Sequence, residues 1–165
     1  MLVLGIDPGL ATTGYGLVRK TGDNFQTVDY GCIITAASLP LSERLLGIFN
    51  DMNAIIDKYL PDVLSVEQLF FCKNVRTALQ VGQARGVIIA AGAKAGCPVY
   101  EYTPLQVKQS IAGYGRAGKK QVQQMIRLIL GLKEIPRPDD AADALAIAVS
   151  HLQTLNWHKL LESQK

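Results

Sequence analysis

Long apolar runs, paired cysteines and histidine clusters are all missing from this chain of 165 residues. No apolar run approaches the ~18 residues that a transmembrane helix requires, so we do not expect a membrane protein. The N-terminus reaches Asp7 without the basic and apolar regions of a secretory signal, which predicts a cytoplasmic protein. The cysteines (Cys32, Cys72 and Cys97) are odd in number and widely spaced, which predicts reduced thiols rather than disulfides or a metal site.

Long polar stretches that would predict disorder are also missing, and charged residues make up an ordinary 19% of the chain. Hydrophobic residues make up 48%, as in ordinary globular proteins, and the length suits one core. We therefore predict a single domain over residues 1–155, followed by a tail at residues 156–165 that shows no clear pattern.

The positive charge is concentrated in one part of the chain. Residues 104–137 contain seven basic residues and a single acid, Glu134, whereas the remainder of the chain is net acidic. The seven are Lys108, Arg116, Lys119, Lys120, Arg127, Lys133 and Arg137. Such an asymmetry favours a basic face that binds a polyanion, although a solvated helix surface explains many similar clusters.

Apolar runs and helical periods alternate along the chain and predict its fold class. Strands are predicted at residues 2–6, 15–19, 25–34, 63–67 and 99–101. Helices are predicted at residues 41–59, 74–95 and 121–131. A further helix is predicted to begin at Pro104, and the last to run from Asp139 or Asp140 to about residue 155. This order predicts an α/β fold, with a mixed five-stranded sheet and helices on both faces. The many small residues of 74–95 predict close helix packing, and a second copy of the chain is one candidate partner.

Four acids stand where predicted strands end or a predicted helix begins. Asp7 and Glu67 each close a strand, and Asp140 and Asp143 share one face of a helical first turn. Such positions can converge at one edge of an α/β sheet, where only a cation would relieve the repulsion between the carboxylates. Oxygen ligands of this kind select Mg²⁺ or Mn²⁺, and two such ions can support phosphodiester hydrolysis. The simpler alternatives are a turn-forming Asp7 and a stabilised helix N-terminus at the two later acids.

The ordered set of short motifs in the chain resembles the RuvC family of junction resolvases over about residues 2–152. The motifs are Gly5-Ile-Asp-Pro-Gly9, Thr13-Gly-Tyr-Gly16, Glu67-Gln-Leu-Phe70, Gln83-Ala-Arg-Gly86, Val107-Lys-Gln109 and Asp140-Ala-Ala-Asp143-Ala-Leu-Ala-Ile147. The resemblance implies a ribonuclease-H-like fold, a homodimer, and nicking of four-way (Holliday) junction DNA in recombination and repair. It also implies two Mg²⁺ ions per site, which Mn²⁺ can replace, and cooperation with a RuvA-RuvB branch-migration complex.

The resemblance assigns roles to particular residues. It makes Asp7, Glu67, Asp140 and Asp143 the metal-binding catalytic acids.

The basic residues and one aromatic receive roles as well. Lys119 is implied to act in catalysis, and both Lys108 and Lys119 to contact the DNA backbone. Phe70 is implied to meet unpaired bases at the crossover. We also expect Arg116 and Lys120 of the glycine-rich basic loop 113–120 to bind DNA.

Three other functions remain open from the sequence. The run Gly113-Tyr-Gly-Arg-Ala-Gly-Lys119 fits the GxxxxGK pattern of a P-loop NTPase, but Lys120 replaces the expected Ser or Thr. The segment Gly5-Ile-Asp-Pro-Gly9 also fits an actin-like or sugar-kinase-like ATPase, although such enzymes usually need two ribonuclease-H-like halves. A catalytically inactive junction-binding module is the third alternative, which the intact set of four acids argues against.

Overall fold

The computed structural model describes residues 1–69 and 75–162, apart from the side chains of Arg76 and residues 156–162. Within these residues the strands are β1 (Leu2–Asp7), β2 (Thr12–Thr21), β3 (Asn24–Ile34), β4 (Val63–Glu67) and β5 (Val99–Tyr102). The helices are α1 (Leu41–Tyr59), α2 (Val75–Lys94), α3 (Pro104–Ala112), α4 (Lys119–Ile129) and α5 (Asp139–Glu162). None of the helices searched within the described residues is long and apolar enough to cross a lipid bilayer.

The five strands form one mixed sheet in the order β3-β2-β1-β4-β5. The first three strands are an antiparallel meander, whereas β1–β4 and β4–β5 are parallel pairs. The β2–β3 hairpin turns at Gly22, whose φ of +58° is a conformation that glycine adopts without strain. The predicted mixed five-stranded sheet is confirmed.

Helices cover both faces of this sheet, as the sequence predicted. On one face α1 and α2 bury Ile48, Met52, Ile56, Ala84 and Ile88 against Leu4, Ile6 and Leu64. On the other face α3, α4 and α5 bury Val107, Ile111, Val122, Ile126 and Leu145 against Val3, Val18 and Val63. The alternation of apolar side chains along β1 supplies both cores, because successive residues of a strand point to opposite faces.

Helix α5 lies unusually close to the sheet, and two glycines permit this approach. A Cβ added to Gly14 would lie 2.0 Å from the Asp140 carbonyl oxygen, and one added to Gly5 would lie 2.2 Å from that of Ala144. Any larger residue at these positions would push the helix away from β1 and β2. The glycines therefore set how near the first turn of α5 comes to the end of β1.

Three element boundaries differ from the sequence prediction. Strand β2 begins at Thr12 rather than at residue 15, where Thr13 pairs with Ile33 of β3. Helix α4 begins at Lys119 rather than at residue 121, because extended Gly118 serves as its N-cap. Helix α5 continues to Glu162 instead of ending near residue 155, and its sequence contains no glycine or proline that would stop it.

Candidate active site

Two of the predicted acids meet at one end of the sheet. Strands β1 and β4 are parallel neighbours, with Ile6 opposite Val66, so Asp7 and Glu67 leave adjacent strands at the same carboxyl edge. Both side chains are partly buried. The loop after Asp7 is held by Thr13, whose Oγ1 donates to the Gly9 carbonyl oxygen at 2.6 Å. The position of Asp7 and Glu67 at one sheet edge agrees with the expectation that acids at the ends of neighbouring strands lie close together.

Burial and mutual repulsion dominate the electrostatics of these acids. Desolvation, followed by the charges of Glu67, Asp143 and Asp140, raises the pKa of Asp7 to about 8. Desolvation and the charge of Asp143 raise the pKa of Glu67 to about 7. Burial also raises the pKa of Asp143. Burial and the charges of neighbouring carboxylates thus disfavour the charged forms of Asp7, Glu67 and Asp143, which is the situation that a cation relieves.

A lysine supplies positive charge to this acidic cluster. Lys119 Nζ lies 2.9 Å from Asp143 Oδ2 and 3.6 Å from Asp139 Oδ2. Desolvation acts to lower the pKa of Lys119, but the hydrogen bond and charge of Asp143, aided by Asp139, raise it. The lysine is therefore positively charged at neutral pH and bridges the starts of α4 and α5.

The position of Lys119 does not favour helix stability by itself. It is the first residue of α4, and no acid stands in the first turn of that helix. A cation near a helix N-terminus opposes the helix dipole, whereas the acids that begin α5 are favoured by theirs. The placement of Lys119 is therefore explained by what it faces across the cleft between the two helices.

A pocket of about 250 Å³ opens beside the cluster. Its lining combines two acids, two lysines and an apolar floor: Glu67, Asp143, Lys108, Lys119, Pro104, Val107, Val122 and Ala146. Lys108 from α3 and Lys119 from α4 both act to lower the pKa of Glu67. Acidic and basic groups thus converge on one cavity from β4, α3, α4 and α5.

The remaining predicted DNA-binding residues do not line this pocket. Arg116 and Lys120 are exposed and lie on the loop before α4 and in its first turn. Phe70 lies outside the residues that the structure describes. The structure therefore brings Lys108 and Lys119 to the acids and leaves Arg116 and Lys120 on the surface nearby.

The acids suit a hard divalent cation by their chemistry, since every candidate ligand is a carboxylate oxygen. In this conformation, no three acidic, histidine or cysteine side chains of the described residues stand together in an arrangement that could hold one ion. The ion pair of Lys119 with Asp143 instead provides part of the neutralising charge.

Two neighbours of the site were not assigned to it by the sequence. Asp139 contacts Lys119, although the sequence indicated it only as a possible first residue or cap of the last helix. Cys32 of β3 is close to Asp140 and Ala141, and burial followed by the charge of Asp140 raises the pKa of its thiol. No sequence pattern indicated Cys32, because its proximity depends on how α5 lies across β2 and β3.

An α/β sheet with acids at the carboxyl edge of its central strands, faced by lysines across a cleft, defines a nuclease of the ribonuclease-H-like class. The family described as "Crossover junction endodeoxyribonuclease RuvC" matches residues 3–151. A relative of that description from Brevibacillus brevis is 58% identical, over 100% of this chain and 99% of the relative. Another, from Desulfitobacterium hafniense, is 57% identical over 94% of both chains. The chain therefore belongs to the RuvC family.

A solved structure supports the same assignment. The RuvC of Thermus thermophilus "in complex with Holliday junction substrate" has a TM-score of 0.91 and 40% identity, over 96% of both chains. A yeast mitochondrial Holliday junction resolvase, Ydc2, shares only the fold, with a TM-score of 0.68 and 15% identity. The predicted ribonuclease-H-like fold is confirmed by these neighbours.

The alternative functions are not favoured. The glycine-rich loop follows helix α3 rather than a strand, and its lysine belongs to α4, so the loop lacks the strand–loop–helix setting of a P-loop. The single five-stranded sheet and the family match over residues 3–151 do not favour an actin-like ATPase. The retained cluster of acids does not favour an inactive junction-binding module.

Proposed function

We propose that this RuvC-family chain is an endonuclease that resolves four-way (Holliday) junctions in recombination and repair, by paired symmetric nicks. The observation that carries the proposal is the convergence of Asp7, Glu67 and Asp143 with Lys119 beside one pocket. The likeness to the Thermus thermophilus protein in complex with a junction supports the choice of substrate.

The acids Asp7, Glu67, Asp140 and Asp143 would hold divalent metal, most simply two Mg²⁺ ions, with Mn²⁺ as a substitute. When bound, two such ions supply an activated water and charge for the leaving oxygen. The chain must first present deprotonated carboxylates. Because burial and repulsion raise the pKa of Asp7 and Glu67 to about 8 and 7, protons compete for these oxygens at neutral pH.

The two lysines of the pocket act on the phosphate. Lys108 lines the same pocket as Asp143 and attracts the DNA backbone to the cavity. Lys119 is held at the site by Asp143 and Asp139, and it exchanges part of this pairing for the phosphate oxygens of the substrate. Its ammonium then stabilises the negative charge that grows on the phosphate as the bond breaks.

The surface around the pocket would bind the rest of the junction. Arg116 and Lys120 are exposed close to Lys119, where they can contact neighbouring phosphates. We retain Phe70 as a proposed base-stacking residue on the family resemblance of the motif Glu67-Gln-Leu-Phe70.

We further propose that the protein acts as a homodimer through helix α2. A Cβ added to Gly86 would meet nothing within 4 Å, and Leu79 on the same helix is exposed. The face of α2 that carries Gly86 can therefore approach a second helix closely without distorting the subunit. A dimer with two-fold symmetry would place one active site on each of two opposed strands of a junction.

The cellular setting follows from the proposed substrate. A cytoplasmic location agrees with the free thiols of Cys32 and Cys97. Cooperation with a RuvA-RuvB branch-migration complex is proposed on the family relationship alone.

The test of this function is nicking of a synthetic four-way junction, with a linear duplex of the same sequence as control. With Mg²⁺ present, we expect nicks at symmetric positions on two opposed strands of the junction and little cutting of the duplex. Chelation by EDTA should stop nicking while a gel-shift assay still detects bound junction. Equal cutting of duplex and junction would contradict the proposed specificity.

A further inference from the structure

A partly buried ion pair joins helix α2 to strand β5 next to the end of strand β4. Arg85 Nη2 lies 2.5 Å from Glu101 Oε1, and the Arg85 side chain is only 20% exposed. Gln68 Nε2 donates a hydrogen bond to Glu101 Oε2 at 3.4 Å. These contacts link helix α2, strand β5 and the residue that follows Glu67.

The groups that this pair contacts follow Glu67 directly in the chain. The backbone N–H of Gln68 donates to the Tyr102 carbonyl oxygen at 2.8 Å, so pairing of β4 with β5 continues one residue beyond the acid. Leu69 lies against α2 at Gly82, where an added Cβ would be 3.2 Å from Leu69 Cδ1. Side-chain and backbone links thus hold the chain where it leaves the active site.

We propose that Arg85 and Glu101 form a clamp that positions Glu67 for metal binding, with Arg85 as a positioning residue. This inference rests on the proposed function, because it takes Glu67 to be a metal ligand. The clamp fixes Gln68 through Glu101 and so prevents the end of β4 from fraying. A fixed strand end lowers the conformational cost of holding the Glu67 carboxylate in place for a metal ion.

The test compares Arg85→Gln and Glu101→Gln with the wild-type protein in two measurements. Titration calorimetry with Mn²⁺ should show about ten-fold weaker binding in both variants. Residues that hold a metal ligand in place typically contribute about ten- to hundred-fold to metal affinity, and we expect the lower value here. Amide hydrogen exchange should be faster at Gln68 in both variants. Arg85→Lys, which keeps the charge, should restore part of the Mn²⁺ affinity.

A matched control is available on the same helix. Lys94 Nζ donates to Asn53 Oδ1 at 3.3 Å, so Lys94→Gln also breaks a link from α2, but at its far end. This variant should keep wild-type Mn²⁺ affinity and Gln68 exchange. If Arg85→Gln lowers only the melting temperature and leaves both readouts unchanged, as a merely structural role requires, the clamp is refuted.

The proposed function and the clamp fail in different ways. A wild-type protein that binds no Mn²⁺ and nicks no junction would overturn the proposed function. The exchange rate of the Gln68 amide would still decide whether the clamp holds the strand end. Conversely, an active wild-type protein whose Arg85→Gln variant keeps its Mn²⁺ affinity and Gln68 exchange would overturn the clamp alone.

Discussion

Lys119 Nζ lies 2.9 Å from Asp143 Oδ2, so the first residue of α4 is paired with an acid that follows the first turn of α5. The same acid is proposed to bind metal, and the same lysine is proposed to stabilise the phosphate. Both roles require the pair to separate in part when substrate and metal enter. Asp139, whose Oδ2 lies 3.6 Å from Lys119 Nζ, remains as a second anion that keeps the lysine near the pocket.

The first prediction concerns the four acids. Changing Asp7, Glu67, Asp140 or Asp143 to the corresponding amide should abolish nicking, because each loses a metal-binding oxygen without losing basic surface. Junction binding in a gel-shift assay should change little. Asp57→Asn, on the exposed surface of α1, is the matched control and should nick normally. Near-wild-type nicking by two or more of the four variants would overturn the assignment.

A second prediction links the raised pKa of Asp7 to stability. The carboxyl has a pKa of about 8 in the folded protein and 3.8 as its ordinary value, so the native state binds more protons between these pH values. Stability of metal-free protein should therefore fall as pH rises from about 4 to 8. Asp7→Asn removes the buried charge and should melt higher than wild type at pH 8 in EDTA, by about 2–4 °C for each kcal/mol gained.

Adding Mg²⁺ should favour the wild-type protein over Asp7→Asn, whereas the metal-free comparison at pH 8 favours the variant. Mg²⁺ binds the folded wild-type protein and should raise its melting temperature, whereas Asp7→Asn should respond weakly. The difference between the two metal-free proteins should shrink as the pH approaches 4, where the Asp7 carboxyl is protonated in the native state. Identical melting temperatures at pH 8 in EDTA would show that burial and neighbouring charges do not disfavour the charged Asp7 carboxylate.

The third prediction separates binding from chemistry in the pocket. Lys119→Ala should slow nicking by about 10²–10³, the scale for losing one electrostatic stabiliser, with junction affinity little changed. Lys108→Ala should lower affinity and make the salt dependence shallower, by up to about 0.9 in the log–log slope. Single-turnover cleavage at saturating protein distinguishes the two effects, because weak binding no longer limits the rate.

Lys133→Ala provides the control for general loss of charge, since Lys133 is exposed and does not line the pocket. It should leave the single-turnover rate unchanged. A wild-type rate for Lys119→Ala under the same condition would mean that Lys119 serves only to bind DNA.

The fourth prediction concerns assembly. The wild-type chain should sediment as a dimer at micromolar concentration, and Gly86→Arg should sediment as a folded monomer. The space around Gly86 accommodates the new side chain within a subunit but not against a second helix. Gly47→Arg on α1 is the matched control, because a Cβ there also meets nothing within 4 Å. Monomeric wild-type protein, with and without junction, would contradict the proposed dimer.

The sequence predicted the parts of this site that depend on neighbouring strands. Asp7 and Glu67 end short apolar runs that predict buried strands, so their approach at one sheet edge followed from α/β topology. The family resemblance placed Lys119 near the acids, but its particular partners, Asp143 and Asp139, depend on how α4 and α5 pack around a shared core. The extension of α5 to Glu162 was also missed, since those residues show no clear amphipathic period.

The central claim, paired nicking of opposed strands by a metal-dependent site, is tested most directly with a supercoiled plasmid that extrudes a cruciform. Two symmetric cuts within one binding event convert the circle to a linear molecule, whereas unpaired cuts give a nicked circle. With Mg²⁺ we predict mainly linear product from the wild-type protein and neither product from Glu67→Gln. Accumulation of nicked circles as the main wild-type product, or equal cutting by Glu67→Gln, would contradict the account.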